Sequence, residues 1–202
     1  MTTPLVILDR QHYGKPGSSD RGAGADLDGD GLVEVHEQEA NLTPVYIAAA
    51  ERSLQAQGID VLVLEWGSYG QRHAYAGAVA AAAAGPVAYV ACHLNAGGGR
   101  YGRVDFDRRS RGGQSLAQVV GSSMARHLPE LFRVKVLPTD PGDRPFTTIR
   151  GIYEGPGNLS GVCYEPCFLD QPEHRELFTD AGLARVGQAL GEACLAWIES
   201  RS

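Results

Sequence analysis

Two histidines and one carboxylate stand directly after apolar runs that read as strands. His12 follows Leu5-Val6-Ile7-Leu8, His93 follows Val87–Ala91, and Glu165 closes Gly161–Tyr164. If these strands run the same way, all three side chains emerge at one edge of the sheet, where α/β sheets place their working residues. Imidazole nitrogens together with a carboxylate oxygen suit a borderline-soft cation such as zinc. A hydrolytic zinc needs three protein ligands, an open position and a separate acid/base. A single strand-end histidine is commonly a hydrogen-bonded structural residue, so the convergence carries the reading. For Glu165 the alternative is a structural carboxylate paired with an arginine such as Arg150.

A second pattern lies in residues 26–37. Asp26-Leu27-Asp28-Gly29-Asp30-Gly31-Leu32-Val33-Glu34-Val35-His36-Glu37 has the spacing of an EF-hand calcium loop. Asp26, Asp28, Asp30 and Glu37 would give side-chain oxygens and Leu32 a backbone carbonyl. No helical pattern precedes the loop, and the alternative is a solvated acidic turn. Spacing alone thus points to calcium as a second cofactor.

These residues must be positioned by a scaffold, and the chain is built for one. Its 202 residues are 43% hydrophobic with 26 glycines, enough for a single packed domain over 1–202. A net charge of −6, with Lys15 and Lys135 the only lysines among 18 cations, is a poor footing for nucleic-acid binding. The longest apolar stretch, 74–92, is interrupted by Gly77, Gly85 and Pro86, so no membrane insertion is expected. The start, Met1-Thr2-Thr3-Pro4, lacks the basic opening of a secretory signal, so cytoplasmic synthesis is expected. Cys92, Cys163, Cys167 and Cys194 are too few for a disulfide framework at this length. Cys163 and Cys167 have a metal-like spacing but read as buried core thiols.

Strands are expected at 5–8, 61–64, 87–91, 134–137 and 161–164, and helices at 44–57, 71–84, 115–128 and 183–198. Thr43 is the expected N-cap of the first helix, with Pro44 at its first position and Gly58 past its end. The alternation predicts an α/β fold: a mainly parallel twisted sheet of about six strands with helices on both faces. Two loop-rich stretches, 10–38 and 138–160, stand out as functional or mobile.

With these motifs in hand, nearly the whole chain resembles the zinc-dependent N-acetylmuramoyl-L-alanine amidases of bacterial wall hydrolases and phage endolysins. The resemblance rests on Val6-Ile7-Leu8-Asp9 with His12-Tyr13-Gly14 and Asp20-Arg21-Gly22-Ala23, and on Ala91-Cys92-His93-Leu94-Asn95-Ala96. It continues through Gly102-Arg103-Val104-Asp105-Phe106 and Val162-Cys163-Tyr164-Glu165-Pro166-Cys167-Phe168-Leu169-Asp170. Arg10-Gln11 and Pro166-Cys167 depart from the usual pattern. The resemblance implies zinc held by His12, His93 and a glutamate near the first helix, with Glu165 as catalytic acid/base. Of Glu34, Glu37 and Glu39, Glu39 lies nineteen positions before Gly58, the family spacing, and Glu37 is the runner-up. A helix through Pro44 would lose a backbone bond, which places Glu39 in an irregular turn. The implied activity is hydrolysis of the amide between muramic acid and L-alanine in peptidoglycan, by a monomeric phage or prophage endolysin acting on the wall after release. The alternatives are a non-catalytic wall-binding module on the same scaffold or another zinc peptidase. The His-x-x-Glu spacing of His127 and Glu130 reads instead as a helix terminus, because Pro129 falls inside it.

Overall fold

The computed structural model describes residues 4–14, 17, 19–143 and 147–201, so small parts of the two loop-rich stretches lie outside the described residues. Strands β1 (Leu5–Arg10), β2 (Asp60–Leu64), β3 (Val87–Cys92), β4 (Tyr101–Asp107), β5 (Arg133–Thr139) and β6 (Leu159–Glu165) form one sheet in the order β2-β1-β3-β6-β4-β5. The first four strands in that order are mutually parallel. β4 then runs antiparallel to β6, setting Arg103 opposite Glu165 and Asp105 opposite Cys163, and β5 is parallel to β4. The expected mainly parallel sheet is present, with this one reversal.

Helices α1 (Glu39–Gln55), α2 (Tyr69–Ala82), α3 (Arg111–His127), α4 (Arg150–Tyr153) and α5 (Asp180–Glu199) cover both faces. β3 shows why. Its period-2 alternation sends Ala88, Val90 and Cys92 into the core built with α1, α3 and α5, and Val87, Tyr89 and Ala91 into the core built with α2 and α4. Residues on both faces are buried, so the strand reads as one unbroken apolar run. On the larger face α1 and α5 pack closely because Gly187 has no side chain. A Cβ there would lie 2.1 Å from the Tyr46 carbonyl oxygen. All four cysteines are buried free thiols, Cys163 and Cys167 among them as expected. Among the described residues no helix is long and apolar enough to cross a membrane.

The first helix differs from expectation. It starts at Glu39, not Pro44; Gln38 is its N-cap in place of Thr43, and Pro44 lies inside it. A proline here removes the bond to the carbonyl of Ala40 and costs about 3 kcal/mol or more in an ordinary helix. That carbonyl instead accepts a 2.6 Å bond from the Arg10 guanidinium. Hydrogen bonds to charged groups contribute roughly 1.5–3 kcal/mol, so the arginine offsets much of the loss. α2 likewise begins early, at Tyr69, because Ser68 and Gln71 form a reciprocal capping box.

Candidate metal centre and active site

The three parallel strands β1, β3 and β6 end side by side, and their C-terminal ends present His12, His93 and Glu165 to one cavity of about 580 Å³. α1 presents Glu39 from its first position. The structure thus brings together all four residues expected there. His12, Glu39 and His93 each offer a ligand atom, all within 4.8 Å of one another. His93 Nδ1 lies 2.9 Å from Glu39 Oε1, and His12 Nε2 lies 3.6 Å from Glu39 Oε2. Glu37 is not with them; its carboxylate belongs to the acidic loop. The irregular turn expected at Glu39 is replaced by a helix start tied to the neighbouring loop. Glu39 N–H donates to the Ala23 carbonyl, and Ala23 N–H donates back to Glu39 Oε2, at 2.8 and 2.9 Å.

The electrostatics of this trio suit a cation. Burial pushes the Glu39 carboxyl up, but the hydrogen bond from His93 and the charges of His93 and His12 outweigh it and hold the group below its ordinary value. Burial pushes the His93 imidazole down, and Glu39 outweighs that and raises it. Yet His93 Nε2 is buried with no hydrogen-bond partner. A charged ring strands a donor there and a neutral ring strands a lone pair, and either is costly in the interior. Two imidazoles and a carboxylate with an unsatisfied buried donor atom are the residues a zinc ion fits. Close approach to the trio is enforced at Gly22, whose φ is +74° and where a Cβ would stand 2.2 Å from Glu39 Oε2.

Several residues outside the predicted set hold these groups. Asp20 Oδ2 is 2.9 Å from His12 Nδ1, a carboxylate that fixes the orientation of this imidazole from behind. His12 itself sits at φ 56°, unusual for a residue with a Cβ. Its loop is pinned by Arg72, a buried arginine of α2 that donates to Asp9 and to the carbonyls of Arg10, Tyr13, Trp66 and Gly67. Asp9 in turn accepts from Tyr89 and Gln11. A lone arginine in an alanine-rich helix carries no sequence signal of this role. Breaking a buried pair costs roughly 3–5 kcal/mol because the remaining charge is uncompensated. Arg72→Met is expected to lower stability by about that amount in chemical denaturation; a midpoint equal to wild type would contradict it.

Glu165 is set by the other strand-end motif. Asn95 Nδ2 donates to Glu165 Oε2 at 2.5 Å, and the amides of Gly97 and Gly98 donate to Asp170. The two motifs therefore interlock across the β3 and β6 ends, and Asn95 N–H donates to the Cys167 carbonyl. Burial raises the Glu165 carboxyl above the ordinary value. The arginine beside it is Arg103, at 3.9 Å, and not Arg150. Arg150 lines a second cavity of similar volume along α2, which shares Tyr69 and Thr147 with the first. The two cavities adjoin at these residues.

The acidic loop is partly as expected. Asp26, Asp28 and Glu37 offer oxygens within 4.8 Å of one another, whereas Asp30 groups with Asp28 and Glu34. The Glu37 carboxylate accepts backbone N–H bonds from Glu34, Leu27 and Asp28, which hold it at about 2. Leu32 is exposed. His127 and Glu130 do not form a site: His127 pairs with Glu192, and Glu130 with Arg185.

No family profile matches the sequence, and no curated protein matches it. Solved structures do. The N-acetylmuramoyl-L-alanine amidase from Clostridium difficile 630 superposes with a TM-score of 0.74 at 18% identity, each chain covered in full. The chain has the fold of that amidase. Cwp6 from Clostridium difficile gives a TM-score of 0.73 at 19% identity over 99% of this chain, which spans 29% of Cwp6. The catalytic domain of the CD27L endolysin, described as targeting Clostridia difficile, gives 0.61 at 14% identity over 96% of this chain and 97% of that one. The amidase fold places the motifs of β1, β3 and β6 at one sheet edge, so the resemblance read from short motifs extends to the whole chain.

Proposed function

We propose that this protein is a zinc-dependent peptidoglycan amidase that hydrolyses the bond between N-acetylmuramic acid and L-alanine, of the lytic endolysin kind. The carrying observation is the convergence of His12, Glu39 and His93, with His93 Nε2 unsatisfied, across one cavity from the half-buried Glu165. The likeness in fold to an N-acetylmuramoyl-L-alanine amidase and to an endolysin catalytic domain supports the substrate class.

A bound zinc ion would supply Lewis-acid polarisation of the scissile carbonyl and make water more acidic. His12, Glu39 and His93 would hold it, and Asp20 orients the first of these. The protein's own part is proton movement. Glu165, raised by burial, takes the proton from the attacking water and gives it to the leaving amine of L-alanine. Asn95 keeps the carboxylate turned toward the cavity throughout. We further propose that the chain is made in the cytoplasm, works as a monomer and reaches the wall after release.

Digestion of purified peptidoglycan with mass spectrometry of the products tests the reading. Stem peptides with a free L-alanine amine are expected. Cuts inside the stem peptide would make it another zinc peptidase, and no cuts at all would favour the wall-binding module. Calcium at Asp26, Asp28 and Glu37 belongs to the same proposal, supported by the loop spacing and the three clustered carboxylates. Millimolar calcium is expected to raise the melting temperature, since a ligand of the folded state stabilises by mass action. An unchanged melt leaves a solvated turn.

A further inference from the structure

Resting on that reading, one pair of residues beside Glu165 is unexplained by metal binding or by proton transfer. Asp105 is fully buried in β4 and sits beside Cys163, next to the active strand end. Arg103, two positions earlier on the same face, donates to both of its oxygens, from Nε at 2.7 Å and from Nη2 at 2.9 Å. The same Nε lies 3.9 Å from Glu165 Oε2. A guanidinium at the wall of the cavity thus stands between two carboxylates and makes its short, forked contact with the one that does no chemistry. An arginine fork on Glu165 itself would compete for the lone pairs that must accept the proton and would turn the carboxylate from the cavity.

We propose that Asp105 is a positioning residue that holds the Arg103 guanidinium off Glu165, so that the proton-carrying carboxylate stays free of a direct ion pair.

The groups facing Glu165 are His93 beyond β3, Arg103 and Asp105 on β4, Glu39 on α1 and the Cys163 thiol on its own strand, the last at 3.9 Å. Arg103 favours its charged form, and Asp105 opposes it. Removing one member of the pair therefore has a sign. In Asp105→Asn the freed guanidinium closes on Glu165; kcat is expected to fall by at least ~10-fold with KM little changed, part of the roughly 10²–10⁴-fold worth of a positioned acid/base. The acid limb of the pH profile then moves to lower pH. In Arg103→Met the uncompensated Asp105 faces Glu165, and the limb moves to higher pH. The double variant, neutral in both positions, is expected to regain most of the kcat lost in Asp105→Asn.

A structural role alone would not move the limb in opposite directions or give rescue. Glu165 is also followed directly by ¹³C carboxyl NMR titration of the zinc-loaded protein, with the same two signs expected. If the wild type cuts no peptidoglycan but the titrations shift oppositely, the amidase reading fails and the pairing stands. If Asp105→Asn does not fold, Arg103→Lys replaces it, since lysine keeps the charge but cannot fork onto both Asp105 oxygens; lower kcat and a downward shift are expected. Retention of kcat within about twofold, shifts of one sign, or a double variant no better than Asp105→Asn overturns the proposal.

Discussion

Glu165→Gln is expected to digest peptidoglycan roughly 10²–10⁴-fold more slowly than wild type while keeping its fold and its zinc. Glutamine preserves the shape and can still meet Asn95, but it cannot carry a proton between water and the leaving amine. The loss should fall on kcat with KM nearly unchanged, because the group acts in the transition state and does not hold the substrate. The pH profile adds an independent signature. Burial raises the Glu165 carboxyl, so the acid-side decline of wild-type activity should lie higher than an unperturbed glutamate would give. The variant should lack that limb. Wild-type turnover in Glu165→Gln would make the residue a structural carboxylate and send the search for a base to the other carboxylate lining the cavity outside the trio, Asp20.

His93→Ala should lose metal and activity together. His12 and Glu39 alone are a weak site, and the free energy of metal binding is coupled to the integrity of the ligand set. Metal analysis after dialysis is expected to find close to one zinc per chain in the wild type and far less in the variant, with activity falling in proportion. The contrast with Glu165→Gln separates holding the cation from moving the proton. His93→Ala also leaves Glu39 buried beside an empty space and removes the bond that holds its carboxyl below the ordinary value, so a lower melting temperature should accompany the metal loss. A variant that retains stoichiometric zinc at wild-type affinity would show that His93 is a hydrogen-bonded structural histidine.

Much of the site is legible in the amino-acid sequence, for a local reason. An apolar run buried on both faces identifies its own strand, and a parallel sheet delivers whatever follows each strand to one edge. His12, His93 and Glu165 follow directly from that rule, and Glu39 came from a family spacing measured from Gly58. The start of α1 did not. Pro44 is a strong local signal for a first helical position, and it was overruled by Arg10, thirty-four residues away, satisfying the carbonyl that the proline abandons. Arg10 is one of the residues that depart from the family pattern, and its role is visible only once α1 lies against β1.

The groups that hold the site fall in the same class. Arg72 reaches Asp9 and the His12 loop across sixty-three positions, and Tyr46 donates to the His93 carbonyl across forty-seven. Arg103 was missed for a topological reason. Strand-end reasoning looks at C-terminal ends, but β4 runs against β6, so the beginning of β4 lies at the active edge and sets Arg103 opposite Glu165. The amino-acid sequence by itself determined the strands, their common edge and the donor atoms, because these depend on burial periodicity and side-chain chemistry. The tertiary structure alone decided which charges face one another, because ion pairing in the interior depends on strand direction and on contacts between segments far apart in the chain.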